Sequence, residues 1–253
     1  VEPAVGAAIR SLRLPAGSRG LDVGCGVGLQ TLLLAGEVGP AGRTVGLDIA
    51  PEFLRCAREI VNQAGLSGRI AFQVGDALHL PFGDGAFDWA WSACCVGYSA
   101  VIEPLAAIQE LARVVRPGGQ VAILVWSSEM LLPGYPLLEA RLNATSAGVA
   151  PFVKGNRPES HFLRALGWLR GAGLIETSAR AYAGSANAPL SDDLRRALAA
   201  LLEMRWPGAE AELTPKERAE YRRVCAPTSP DFILNDPDYY AFFTYSLFCG
   251  RVS

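Results

Sequence analysis

The chain has 253 residues, half of them hydrophobic, with 23 lysines and arginines against 25 aspartates and glutamates. A formal net charge of −2 and the lack of a basic cluster argue against nucleic acid as a partner, because phosphate neutralisation drives that binding. The longest strand-like apolar run, "VAILVW" at 121–126, falls short of the ~18 residues a membrane span needs, and no charged-then-apolar leader opens the chain.

Short β-rich runs alternate with helical patterns through the first half, which predicts βαβ units on a parallel sheet. "RGLDV" (19–23) reads as a strand that runs straight into the glycines of "GCGVG". A helix follows to about Val38 and is closed by Gly39-Pro40. "RTVGLDI" (43–49) is a second strand, and "APEFLRCAREIVNQAG" (50–65) an amphipathic helix with Pro51 in its first turn and Gly65 as its stop. "RIAFQVGD" (69–76) and "AFDWAWSAC" (86–94) are strands three and four. "EPLAAIQELARVVRPGG" (103–119) is a helix ending in a Pro-Gly-Gly turn, which feeds "QVAILVW" (120–126), strand five.

Beyond strand five the rhythm loosens. Residues 136–147 and 159–171 read as helices and "GLIETSARAYAG" (173–184) as a sixth strand. Between 184 and 240 the alternation breaks, with one helix opened by Ser191-Asp192-Asp193 and another by Thr214-Pro215-Lys216-Glu217. The second opening is a capping box with proline at the first helical position. "AFFTYSLFCGRV" (241–252) is an aromatic closing strand.

The six cysteines (Cys25, Cys56, Cys94, Cys95, Cys225, Cys249) form no C-x-x-C, and the two histidines, His79 and His161, lie far apart. No metal site is expected from such a set, and the thiols fit a reducing cytoplasm as small buried hydrophobes.

"LDVGCGVG" (21–28) joins a strand to a helix through Gly24, Gly26 and Gly28, which allow a tight turn and close approach of a ligand to free helix N–H groups. The spacing is G-x-G-x-G, unlike the G-x-G-x-x-G of dinucleotide folds. Asp22 would repel a pyrophosphate there and suits a ligand carrying positive charge. Asp48 ends strand two, about 20 residues past the glycines, where a carboxylate takes ribose hydroxyls. Asp76 ends strand three, placed to accept from an exocyclic amine such as adenine carries. Three carboxylates at successive strand ends and no phosphate cradle describe a nucleoside bearing a cation, and S-adenosylmethionine (SAM) is such a molecule. Singly, each glycine also reads as a turn former, Asp48 as an N-cap and Asp76 as a turn residue; it is the joint occurrence that points to SAM.

The ordered set "LDVGCGVG", "VGLDIA", "GDALHLPF…FD" and "LARVVRPGG" resembles the class I SAM-dependent methyltransferases, nearest to the small-molecule branch with the ubiquinone and menaquinone C-methyltransferases. The resemblance covers 19–126 well and 127–253 loosely. It implies an α/β, Rossmann-like sheet of seven strands, mostly parallel, with helices on both faces and the last strand antiparallel. It implies that Asp22 and the loop of Gly24, Cys25, Gly26 and Gly28 face the methionine half of SAM, Asp48 the ribose, and Asp76 with Ala77 the adenine, with Ile49 also among the cofactor-binding residues. Ser92 would lie beside the methionine part. The expected division is a methyltransferase core of 1–183 and 241–253, with 184–240 a helical lid over the acceptor site.

The "NPPY" signature of exocyclic and amide nitrogen methylation is absent after strand four, where "SACCVGY" stands, and no acid-histidine cluster suggests a catalytic metal. The reading is therefore methyl transfer to a small, apolar or aromatic acceptor by in-line displacement, helped mainly by alignment. Acceptor-lining candidates are Cys94, Cys95 and Tyr98 after strand four, Trp126 and Ser127 after strand five, and Tyr135, Arg205, Trp206, Tyr239 and Tyr240 from the lid and its surroundings. For the aromatics core packing is the competing role, and for Arg205 a salt bridge. His161 and Tyr98 are the candidate acid-base groups, with His79 placed on the adenine flank. Strand alternation would point Cys94 and Cys95 to opposite faces, as pocket wall and not as a chelating pair. A non-catalytic SAM-binding module and a SAM-using enzyme of the same fold that does not methylate remain the rival readings.

Overall fold

In the computed structural model, residues 2–98, 103–149 and 157–253 are described, and the chain divides into two compact units. The core unit comprises Glu2–Ser127, Arg157–Tyr182 and Tyr245–Ser253; the second unit takes Ser128–Asn156 and Ala183–Thr244.

The sheet is built from β1 (Arg19–Val23), β2 (Arg43–Asp48), β3 (Ile70–Val74), β4 (Phe87–Ala93), β5 (Val115–Met130), β6 (Ile175–Asn187) and β7 (Tyr240–Arg251). Its order is β3-β2-β1-β4-β5-β7-β6. β1 pairs in parallel with β2 and β4, β2 with β3, and β4 with β5. β7 runs antiparallel to β5: Gly118 and Gly119 near the start of β5 bond to Val252 just past the end of β7, while Ser127 further along β5 meets Ser246 earlier in β7. The expected α/β, Rossmann-like sheet with an antiparallel final strand is therefore present. The order reverses at β1, with β2 on one side and β4 on the other, and open α/β sheets bind ligands in the crevice at such a switch point.

The helices of the core unit are α1 (Glu2–Ser11), α2 (Leu29–Glu37), α3 (Pro51–Gln63), α4 (Pro104–Val114) and, after α5 of the second unit (Pro136–Asn143), α6 (Ala165–Gly171). α7 (Asp192–Arg205) and α8 (Pro215–Cys225) complete the second unit. The inner strands read as nearly continuous apolar runs because both faces are covered: β4 buries Phe87, Trp89, Ala90, Trp91 and Ser92. Gly20 on β1 makes room for one of these rings, since a Cβ there would lie 2.0 Å from Trp89, whose indole N–H is held by Ser18 Oγ at 2.9 Å. The second unit has its own core, with Leu131, Leu138, Leu202, Trp206, Phe232 and Tyr239 among its members. Its α8 opens with the expected capping box between Thr214 and Glu217.

Three elements differ from expectation. α4 stops at Val114, not at 119: Pro117 offers no N–H and disfavours helix at Arg116. The "RPGG" stretch instead opens β5 as a bulge, Val115 to Gln120 facing only Phe87 to Trp89 of β4. The 159–171 helix is two short 3₁₀ turns, Pro158–Ser160 and Phe162–Arg164, before α6. His161 breaks it, with extended backbone (ψ 132°) and Nδ1 accepting the Leu163 N–H. α1 is an addition to the expected elements, although Val5, Ala8, Ile9 and Leu12 recur at helical spacing and are all buried.

Candidate functional site

The carboxyl ends of β1, β2 and β3 converge on a cavity of about 330 Å³. Gly24, Gly26, Asp48, Ile49, Asp76, Ala77, Cys94 and Cys95 line it, all expected there, together with Val23, Leu47, Ala50, Phe53 and Gly75. A smaller cavity of about 200 Å³ adjoins Asp22, Gly24, Cys25, Gln30 and Ala93. Every one of these residues belongs to the core unit.

The glycine loop is folded by its own sequence. Gly24 and Cys25 both donate to Leu47 O, at 2.8 and 3.0 Å, which ties the loop to β2. Gly24, Gly26 and Gly28 have φ of +73°, +52° and +80°, the left-handed region that L side chains rarely adopt. Asp48 completes the loop: Oδ2 accepts Gly26 N–H at 2.8 Å and Oδ1 accepts Ala50 N–H at 3.0 Å. A carboxylate has about four acceptor positions, so both oxygens keep capacity for hydroxyl donors in the cavity. Asp76 Oδ1 accepts Leu78 N–H at 2.9 Å, and Oδ2 lies 3.9 Å from the exposed His79 ring. Ile49 and Phe53, four residues apart, have 69% and 48% of their surface exposed, an apolar mouth suited to a flat heterocycle.

Asp22 is the electrostatic centre. Its side chain is buried and takes a 2.6 Å hydrogen bond from Thr31 Oγ1. Burial pushes its carboxyl up to about 7, against the Thr31 bond that pulls it down, and neighbouring Asp48 adds to the rise. A buried carboxyl facing a second carboxylate, with no cation contributing, is a site that a positive charge would relieve.

Cys94 and Cys95 sit just past β4 and line the same cavity. Cys94 adopts φ +49°, so strand alternation has ended and does not send the two thiols to opposite faces, a correction to the expected geometry. Cys95 packs on the glycine loop, where a Cβ on Gly24 would lie 2.6 Å from its Sγ. Burial pushes the Cys95 thiol up to about 11, so it is no ready thiolate; desolvation raises the Cys94 thiol too, although that residue is exposed at the surface. Around Cys94, the Tyr98 hydroxyl donates to Trp126 O at 2.7 Å, and Trp126 meets Tyr245 edge-on at 5.3 Å. Tyr98 stacks on Phe162 at 5.6 Å, and Phe162 on His161 at 4.3 Å. His161 Nδ1 accepts the Leu163 N–H, so the neutral ring carries its proton on Nε2 and is poorly disposed as a base. Ser127 Oγ accepts from Ser246 Oγ at 3.0 Å.

Other candidates lie elsewhere. Ser92 is buried within β4, and Ala93 rather than Ser92 faces the Asp22 cavity. Gly28 starts α2 and is needed for packing, since a Cβ would lie 2.9 Å from the Phe72 ring. Tyr135, Arg205, Trp206, Tyr239 and Tyr240 belong to the second unit. Arg205 pairs with Glu129 and donates to Asn143 Oδ1 and Gly148 O. Trp206 and Tyr239 are core residues there, bonded to Asn143 Oδ1 and Leu131 O. Tyr135 lies under Arg223, 5.6 Å from the guanidinium, and Tyr240 is half-exposed. Phe53 and Thr31 are site residues that the sequence motifs do not mark; the one available signal for Phe53 is an aromatic on the outer face of α3, four residues after Ile49.

A family model described as a methyltransferase domain matches residues 21–123, the span of β1 to β5 that builds these cavities. Residues 21–123, within the core unit, are thus similar to a methyltransferase domain. Norajmaline N-methyltransferase of Rauvolfia serpentina is 36% identical over 113 residues, 45% of this chain and 37% of that enzyme. Demethylmenaquinone methyltransferase of Listeria welshimeri is 33% identical over 127 residues, 50% of this chain and 52% of that one. The matched segment thus spans about half or less of these curated methyltransferases. Over almost the full chain the fold is shared with the YcgJ protein of Bacillus subtilis, with a TM-score of 0.60 at 17% identity over 99% of this chain and 98% of that one. The cofactor of the methyltransferase domain is SAM, and a cationic nucleoside fits the buried Asp22 carboxyl and the acceptor oxygens of Asp48 and Asp76. No group of three metal-ligating side chains occurs among the described residues, and no described helix is long and apolar enough to cross a membrane.

Proposed function

We propose that the chain transfers the methyl group of SAM to a small, apolar or aromatic acceptor in a reducing, cytoplasmic setting. The observation that carries this is the pairing of the two cavities: a buried carboxyl that a cation would relieve, beside a pocket rimmed by ribose- and amine-type acceptors. SAM supplies an electrophilic methyl carbon whose leaving group is a neutral thioether.

Asp22 balances the positive charge of the methionine half, Asp48 takes the ribose hydroxyls, Asp76 takes an exocyclic amine proton, and Ile49 with Phe53 cover the heterocycle. Cys94, Tyr98 and Trp126 border the acceptor side. The acceptor atom forms its bond to the methyl carbon as the carbon–sulfur bond breaks, and any proton it carries leaves to solvent or to a basic group of the acceptor itself. Alignment supplies most of the rate, consistent with the poor disposition of His161 as a base.

Incubation with methyl-labelled SAM and a panel of hydroquinones, phenols and amines tests the proposal. Label should enter at least one acceptor with equimolar S-adenosylhomocysteine (SAH). Tight SAM binding with no SAH formed across the panel would favour a non-catalytic module instead.

A further inference from the structure

We infer that Arg113 and Glu110, on α4, are positioning residues that hold the adenine-side wall of the cofactor cavity through the 75–86 connection. The inference rests on the reading of that cavity as a SAM site.

Between β3 and β4 the chain runs twelve residues with no regular element, yet Gly75, Asp76 and Ala77 must hold a fixed place in the cavity wall. The first part is a tight turn: His79 N–H donates to Asp76 O at 3.1 Å and Leu78 N–H to the Asp76 carboxylate. A turn of this kind fixes its own shape but not its position. Position comes from the next residue. Leu80 N–H donates to Glu110 Oε2 at 2.8 Å, and Leu80 O accepts from Arg113 Nη2 at 3.1 Å.

Arg113 then grips the remainder. Nη1 donates to Phe82 O and to Asp84 Oδ1, both at 2.8 Å, while Nε and Nη2 form a fork on Glu110 at 2.7 and 2.8 Å. All five guanidinium N–H donors are engaged, and Gly85 N–H closes the set on Arg113 O at 2.9 Å. Leu80 and Ala77 are buried in the same apolar cluster as Leu111 and Val114 of α4, so backbone and side chains of the connection are held by one helix. The Arg113 hydrogen bond holds the Glu110 carboxyl below its usual range, so the fork is ionised at neutral pH. Neither residue lines the cavity, so an effect on the cofactor has to pass through the Asp76–Leu80 turn.

Lysine at 113 keeps the charge but offers three donors from one point and cannot reproduce the planar fork. Arg113→Lys and Glu110→Gln are therefore measured by amide hydrogen exchange without ligand, and by calorimetry with SAH and with adenosine, which carries only the adenine and ribose. The expected result is at least tenfold faster exchange at residues 78–85, with SAH and adenosine weakened by the same factor, tenfold or more. The pH profile of SAH binding set by Asp22 should be unchanged, which a general loosening of the domain would not spare. Asp84→Ala, at the solvent-exposed arm, should stay within twofold of wild type. Folded variants with unaltered exchange or unaltered affinity would overturn the inference, as would a loss for SAH with none for adenosine. A wild-type protein that binds neither compound would instead overturn the cofactor reading.

Discussion

Asp22→Asn separates stability from binding. The variant keeps an oxygen to accept the Thr31 hydroxyl but cannot ionise. In the folded protein the Asp22 carboxyl titrates at about 7 instead of 3.8, a rise caused first by burial. At about 1.4 kcal/mol for each pKa unit, its ionisation costs the fold on the order of 4 kcal/mol above pH 7. Because the folded value is raised, the folded state holds its proton longer than the unfolded chain. Stability contributed by this group is thus lost as pH climbs from about 4 to about 7, and nothing more is lost above. Asp22→Asn should be more stable than wild type at pH 8 by ~2–4 kcal/mol, and the gap should narrow by about 2 kcal/mol at pH 5. Denaturant melts across pH 5–8 measure this. Saturating SAH should reverse the order, stabilising the wild type through the carboxylate and leaving the variant unmoved. A stability gap that stays constant with pH, or a variant less stable at pH 8, would refute the reasoning.

Gly24→Ala meets two obstacles, a left-handed φ of +73° and Cys95 Sγ 2.6 Å from the new Cβ, and should lose about 2–4 kcal/mol in denaturant melts. Pairing it with Cys95→Gly should restore only the contact part, leaving the backbone part. Cys94→Gly relieves a positive φ of +49° and should gain about 1 kcal/mol in denaturant melts. Thr214→Ala removes the capping box of α8 and should lower stability by about 1 kcal/mol without changing SAH affinity measured by calorimetry.

The cofactor side is legible in the sequence because it is local there. Asp22, Gly24, Gly26, Asp48 and Asp76 each sit within a few residues of a strand end, and strand ends on a parallel sheet are brought together by the topology alone. The limits have equally local causes. "RPGG" reads as a turn that would end α4 at 119, whereas Pro117 and the β4 partner make it a bulge. Cys94 and Cys95 follow a strand in sequence, but one left-handed residue cancels strand geometry for the pair. Trp206, Tyr239 and Arg205 show the harder case: an aromatic or a charge beside apolar neighbours reads alike whether it lines a pocket or fills a core, and only their partners Asn143, Leu131 and Glu129, distant in sequence, decide. The grip of Arg113 on the 80–84 segment is hidden for the same reason, since its acceptors there are two main-chain oxygens and a carboxylate about thirty residues away.

Whether this chain holds SAM through its strand-end carboxylates is decided by calorimetry of SAH with the wild type and Asp48→Ala. Asp48 holds Gly26 and Ala50 and keeps acceptor positions open to the cavity, so its loss removes both loop anchor and ribose partner. The wild type should show one site of micromolar-range affinity, and the variant binding at least a hundredfold weaker. Absence of heat in the wild type, or equal affinity in the two proteins, would contradict that assignment.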